Sequence, residues 1–123
     1  MKKKILIVED EILIGMMLAE NIRDFGYEPY DVATTANEAL HAFHQHLPDA
    51  ILMDISLSGQ LDGIDAARLI REHSDVPIVF FTGYRDPQLL QKARTTNPVA
   101  ILDKLGPVEA IQKILHSIFS ENQ

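Results

Sequence analysis

The chain has 123 residues, 46% of them hydrophobic and 24% charged, which suits one domain with its own core. Its formal net charge of −7 argues against nonspecific binding to nucleic acid or an anionic membrane surface, and the lack of cysteine excludes disulfides and thiolate chemistry. No run approaches the roughly 18 apolar residues of a membrane span, and MKKKILIVEDEIL at the start has no long apolar stretch or cleavage site, so a cytoplasmic protein is expected.

Short apolar runs alternate with helix-period stretches along the chain. KILIVE (4–9) holds four consecutive aliphatics, too short for a helix and right for a strand buried on both faces. EILIGMMLAENIRDFG (11–26) spaces Ile14, Leu18, Ile22 and Phe25 for one helical face, with Gly26 as its stop. YEPYDVA (27–33) is a weaker strand that Pro29 confines to a sheet edge, because proline has no N–H for a ladder. TANEALHAFHQH (35–46) is helical, with Ala36, Leu40 and Phe43 inward. DAILMD (49–54) is a second buried strand, and GIDAARLIREH (63–73) a helix with Ile64, Ala67, Leu69 and Ile70 as its apolar residues. VPIVFFT (76–82) is a third buried strand, and PQLLQKARTT (87–96) a helix. VAILDK (99–104) and GPVEAIQKILHSIFS (106–120) close the series, with Pro107 suited to a first helical position.

Five strands and five helices in strict alternation over 1–123, with no repeat or linker, predict an α/β fold. The expected form is a doubly wound, parallel five-stranded sheet with helices on both faces. Ligands in such sheets bind at the carboxyl edge, where the strands exit. The exits here carry Glu9 and Asp10 (with Glu11 next), Asp54, Thr82 and Lys104. Asp54 is the most pointed case. In ILMDISLSGQLDG (51–63) it stands where an apolar run gives way at once to a loop of Ser, Gly, Gln and Asp.

These residues, in this order and over the full length of the chain, resemble the receiver domain of two-component response regulators. The resemblance implies a flavodoxin-like strand order 2-1-3-4-5, with the Pro29 strand at the edge and Asp10 and Asp54 on neighbouring strands about 4.8 Å apart. It implies Glu9 and Asp10 as the acidic pair for Mg²⁺, joined by Asp54 and the backbone carbonyl of Ser56. Asp54 becomes the phosphoryl acceptor, Thr82 the hydroxyl for a phosphoryl oxygen, and Lys104 its cationic partner. The implied phosphodonor is a sensor histidine kinase or a histidine phosphotransfer protein in a phosphorelay, and the output passes to a downstream protein. The implied activity is no enzyme's turnover, only the domain's own phosphorylation and dephosphorylation. With the chain ending after its fifth helix, a stand-alone receiver without an output domain is expected, with neither nucleic acid nor membrane as partner.

The chemistry asks for the same residue types independently. A carboxylate attacking phosphorus meets negatively charged oxygens, so cations must neutralise both sides. Mg²⁺ takes hard oxygen ligands, a lysine supplies a compact charge and a hydroxyl donates a hydrogen bond. Clustered carboxylates without a cation would repel one another.

The sequence departs from the family pattern at two places. Ser58 stands where the loop after the acceptor usually has proline, and Gly63 lies one residue later than the usual glycine, so this loop is expected to be one residue longer. Lys104 is followed by Leu-Gly-Pro instead of Pro-Phe. A cis bond before Leu105 would cost roughly 3 kcal/mol, so trans is expected, with a differently built loop behind the lysine. Thr-Gly-Tyr (82–84) resembles a receiver subgroup often lacking the strand-five switch aromatic, and Ile101 stands in its place. Ile101 is β-branched and stiff, so the moving element is expected in Gly83–Arg94. Ser56 and Tyr84, two residues past Asp54 and Thr82, are expected to influence water's access to the phosphoryl group, with Tyr84 shielding it.

Other readings exist for each feature. A small phosphatase with an aspartyl nucleophile is the main alternative, although such enzymes usually carry the nucleophile on the first strand. A flavin module would need a phosphate loop where this chain has Glu-Asp-Glu. Thr82 can cap a turn, and Lys104 can pair with Asp103. Asp62 reads as a helix cap and His41, His44 and His46 as an exposed polar helix face. Met16 and Met17 read as core or helix-surface filler.

Overall fold

The computed structural model describes residues 1–120. Its strands are β1 (Lys4–Val8), β2 (Glu28–Pro29), β3 (Ala50–Asp54), β4 (Ile78–Thr82) and β5 (Ala100–Asp103). They form one parallel sheet in the order β2-β1-β3-β4-β5. Between and after them run α1 (Ile12–Asp24), α2 (Ala36–His46), α3 (Gly63–Arg71), α4 (Pro87–Arg94) and α5 (Glu109–Ser120). This is the doubly wound α/β architecture expected from the alternation of elements. No helix among the described residues is long and apolar enough to cross a membrane.

Period-2 alternation splits the central strands between two cores. Leu6, Val8, Ile51, Met53, Ile78 and Phe80 pack with Ala39 and Phe43 of α2, Ile64, Ala67 and Ile70 of α3, and Ala93 of α4. Ile5, Ile7, Ala50, Leu52, Val79 and Phe81 pack with Leu18 and Ile22 of α1 and Leu115 and Ile118 of α5. Burying each such aliphatic is worth about 1.5–3 kcal/mol, which explains why these runs carry no polar residue until the strand exits.

Several local details differ from the sequence reading. β2 is only two residues long, because Pro29 withholds a donor; one further bridge joins Val8 to Ala33. Leu69 is exposed, since Ile64, Ala66, Ala67 and Ile70 fill the inward side of α3. Of the two readings of Met16 and Met17, the helix-surface one holds: both lie on the outer surface of α1, as do exposed Ile12 and Leu13. Pro107 precedes α5 by two residues, and tight bonds from Ala110 N–H to Pro107 O and from Ile111 N–H to Val108 O lead into the helix.

Two features fix α3 at its ends. At its start, Asp62 and Asp65 form a reciprocal capping box with both bonds at 2.9 Å, so Asp62 is the cap that the sequence indicated. Gly63 donates to Ile55 O at 2.8 Å and approaches β3 so closely that a Cβ there would lie 2.1 Å from Asp54 O. At its end, the Arg71 guanidinium donates to four carbonyls: Thr96 at 2.8 Å, Val76 at 2.7 Å, Asn97 at 3.1 Å and Ser74 at 3.2 Å. That side chain ties α3 to the segments leading into β4 and β5, at the sheet's amino edge.

Candidate functional site

The β1–β3 register pairs Val8 with Met53, so one step further sets Glu9 beside Asp54. Glu9 extends the row Ile5, Ile7, and Asp54 the row Ala50, Leu52, so the two side chains share a face at the carboxyl edge. This corrects the expected pairing of Asp10 with Asp54 across neighbouring strands. β1 ends at Val8, the Glu9 N–H donates to Ala33 O at 2.9 Å within the parallel Val8–Ala33 bridge, and Asp10 lies beyond the strand.

Glu9 is fully buried and Asp54 nearly so, at 2% exposure. Between them stands Lys104, its Nζ 2.9 Å from Glu9 Oε1, 2.9 Å from Asp54 Oδ2 and 3.7 Å from exposed Glu11. Lys104 therefore serves both acids rather than Asp103. Its backbone N–H donates to Thr82 O at 3.0 Å, and its ammonium sits 5.5 Å from the centre of the Phe81 ring. Burial alone would pull the ammonium's pKa down, but the bonds to Glu9 and Asp54 outweigh it and hold it well above the ordinary lysine range. Burial pushes the Glu9 carboxyl upward and Asp54's charge adds to this, while Lys104 and the Glu11 N–H, donating at 3.0 Å, pull the other way.

The surrounding backbone supplies further polar contacts. Asp54 Oδ1 accepts from Ser56 N–H at 3.1 Å, and Asp10 Oδ2 accepts from Ser58 N–H at 3.2 Å, a bond that a proline at 58 could not make. Thr82, 4% exposed, accepts from Tyr84 N–H at 3.1 Å and so caps the turn, and its side chain lines a hollow beside the acidic cleft rather than the cleft itself. Asp10, Glu11, Asp54, Ser56, Gly83, Tyr84 and Lys104 line an open polar cleft of about 410 Å³. Ile101 lies outside it, half-buried in a separate hollow of about 160 Å³ with Thr82, Tyr84 and Leu90. The Lys104–Leu105 peptide is trans, as expected without proline.

Residues 9, 10 and 54 fit a divalent cation. Each offers a carboxylate oxygen, and the three atoms lie within 4.8 Å of one another. Among the described residues, Glu9 Oε1 is buried with an ion-pair contact to Lys104 but no aligned hydrogen-bond donor, so it retains acceptor capacity. Three hard anionic ligands in one place match the chemistry of Mg²⁺. His41, His44 and His46 stay exposed on α2: His46 stacks on Tyr30, and His44 meets His73 edge-on.

Sequence reasoning passed over two contacts here. Glu11 joins the Lys104 cluster, and Arg85 pairs with Asp103 across the loops beside Thr82 and Lys104. Glu11 could have been read from its place after the acidic pair; no sequence spacing signals the Arg85 pair.

Comparison with known proteins agrees with this geometry. Residues 5–116 match the family model for the response regulator receiver domain. The transcriptional regulatory protein PdtaR of Mycobacterium tuberculosis is 39% identical over 102 residues, covering 83% of this chain and 49% of that protein. The transcriptional regulator ycf27 of Guillardia theta is 40% identical over 85 residues, 69% of this chain and 33% of that protein. The chain thus spans about half or less of these relatives' length. The signal receiver domain of a modulated diguanylate cyclase from Desulfovibrio desulfuricans superposes with a TM-score of 0.90 at 28% identity, covering 98% of this chain and 96% of that one. The N-terminal domain of a response regulator, sensory box and GGDEF protein from Carboxydothermus hydrogenoformans gives 0.87 at 30% identity, with 98% and 96% coverage.

Proposed function

Because the chain belongs to the response regulator receiver domain family of two-component signalling, we propose that Asp54 accepts a phosphoryl group from a histidine kinase or histidine phosphotransfer protein in a Mg²⁺-dependent step. The observation that carries this reading is one ammonium, Lys104, held 2.9 Å from both Asp54 and Glu9 at the carboxyl edge of a parallel sheet. An oxygen of Asp54 attacks phosphorus, the donor's N–P bond breaks, and its electron pair remains on the imidazole nitrogen. Lys104 needs only a short side-chain movement to follow the charge from Asp54 onto a phosphoryl oxygen. The Thr82 hydroxyl, now an acceptor from Tyr84 N–H, has its own proton to donate to another. Glu9, Asp10, Asp54 and the Ser56 carbonyl would hold Mg²⁺, which when bound supplies positive charge against the carboxylates and phosphoryl oxygens.

A protein donor suits the rim of the cleft. The neighbours of Glu11 and Lys104 in the chain, Ile12, Leu13 and Leu105, are large exposed apolar residues, as is Tyr84. Such a border excludes water around a polar centre when a partner closes on it. The domain acts as a phosphoacceptor that signals through protein contacts, with no multiple turnover of an external substrate.

Incubation with phosphoramidate and Mg²⁺, followed by intact mass, tests the reading. One phosphoryl adduct per chain is expected, absent in Asp54→Asn and absent without Mg²⁺. An undiminished adduct in Asp54→Asn overturns the assignment, and sustained hydrolysis of a phosphomonoester favours a phosphatase instead.

A further inference from the structure

We propose that Asp103, which lies outside the cleft lining, is the positioning residue that aims Lys104 at Asp54 through its bond to the Leu105 N–H. The inference rests on the reading of Asp54 and Lys104 given above. Asp103 ends β5 directly opposite Thr82 in the β4–β5 register. Its Oδ1 accepts from Leu105 N–H at 2.9 Å, and its carbonyl accepts from Gly106 N–H at 3.0 Å. These two bonds close the turn over Lys104. A Cβ at position 106 would lie 3.2 Å from Asp103 O, so glycine suits so tight a turn. Lys104's own N–H is held by Thr82 O, and the backbone is thereby pinned on both sides of the lysine Cα. No proline ring stiffens the segment, since Leu105 and Gly106 follow the lysine; the Asp103 carboxylate supplies the constraint that the residue types lack.

The second carboxylate oxygen, Oδ2, pairs with the Arg85 guanidinium. Arg85's side chain is 81% exposed, and an ion pair so open to solvent contributes little to stability. It joins the β4–α4 loop, which follows Thr82, to the end of β5, leaving the Asp103 bond to Leu105 N–H as the contact that sets the turn presenting Lys104. Asp103 therefore stands at the junction of the two segments that present the groups meeting a phosphoryl oxygen.

The test uses the full chain with Asp103→Ala, Asp103→Asn, Asp103→Glu and Arg85→Gln. Initial phosphoryl uptake from phosphoramidate with Mg²⁺ is expected to fall about 10-fold or more in Asp103→Ala, because small misplacements of a reacting geometry cost one to two orders of magnitude. Asp103→Asn retains an oxygen that accepts from Leu105 N–H and is expected to stay within about 3-fold of the parent; Arg85→Gln, which leaves that bond intact, is expected to do the same. Asp103→Glu keeps the charge but overreaches the Leu105 N–H, and is expected to behave like alanine, so the proposal remains testable should the alanine variant fail to fold. A second readout needs no phosphoryl donor. In metal-free protein the ¹⁵N signal of the Lys104 ammonium should stand apart from those of the exposed lysines, move toward them in Asp103→Ala and Asp103→Glu, and stay in place in Asp103→Asn. An unmoved Lys104 signal in the alanine or glutamate variant, or an asparagine variant as impaired as alanine, overturns the proposal. If the parent chain takes up no phosphoryl group, the assignment of Asp54 fails, and the Lys104 signal alone decides the role of Asp103.

Discussion

Replacing Gly63 by alanine places a methyl group where there is no room for one. The new Cβ would lie 2.1 Å from Asp54 O and 3.0 Å from both Asp54 C and Ile55 Cα. All three are backbone atoms, so no rotamer change relieves the contact. Carbon–oxygen contacts of this kind sit at about 3.3 Å or more, which demands a relative shift of roughly 1.2 Å. Moving the start of α3 sacrifices the 2.8 Å bond from Gly63 N–H to Ile55 O. Moving the end of β3 instead draws Asp54 away from Lys104, now 2.9 Å distant. Overpacking of this sort costs about 1–3 kcal/mol. At about 4 °C per kcal/mol for a chain of this size, Tm should fall by about 4–12 °C. A displacement of roughly 1 Å at Asp54 should also slow phosphoryl uptake by up to about 100-fold. Thermal unfolding by circular dichroism and uptake by intact mass measure the two effects. Gly83→Ala is the stability control, because a Cβ there meets no atom within 4 Å. A Gly63→Ala protein matching the parent in both Tm and uptake would refute the reasoning.

Burial raises the Glu9 carboxyl above its ordinary value of 4.5, and a group of that kind favours folding at low pH and loses that contribution as pH rises through its folded pKa. Metal-free Glu9→Gln should accordingly gain in Tm over the parent as pH increases from 4.5 toward neutrality; a difference that grows toward acid would contradict this. Tyr84 rims the cleft, and Tyr84→Ala should shorten the lifetime of the phosphoryl adduct by admitting water, so an unchanged or slower decay counts against shielding. Asp62→Ala removes half of the capping box and should cost about 1 kcal/mol in urea unfolding, leaving phosphoryl uptake in place. Loss of uptake at full stability would instead assign Asp62 to the site.

The aliphatic runs at 5–8, 50–53 and 78–81 were legible because strands covered on both faces admit no polar residue, and their exits therefore located the site. That Asp54 and Lys104 meet could be read from order alone, since a parallel sheet sends every strand end to one edge, whereas Thr82 at the same edge lines the neighbouring hollow. Which acid lies beside Asp54 was less accessible. It depends on the β1–β3 register, Val8 opposite Met53, which pairs segments 45 positions apart and leaves no local spacing to read. Leu69 was misread because apolar periodicity cannot reveal that Ala66 and Ala67 already fill the space facing the sheet. The Arg85–Asp103 pair was invisible because an arginine and an aspartate 18 positions apart meet only once β4 and β5 are in register.

The four carbonyls gathered by Arg71 bear on how this domain tolerates divergence. α3 is held at its far end as well as at Gly63, because one guanidinium locks it to two other segments. Within the connection from Asp54 to Gly63, buried Ile55 and Leu57 hold the strand side and the capping box holds the helix side, so that only exposed Gly59 and Gln60 are left simply to span the gap. Loop closure cost grows slowly with length, so an added residue there changes little in the free energy of folding. Substitutions at Arg71 and insertions at Gly59 and Gln60 should therefore fall in opposite classes across relatives, the first purged for loss of folding, the second free to accumulate and to reshape the surface offered to partners.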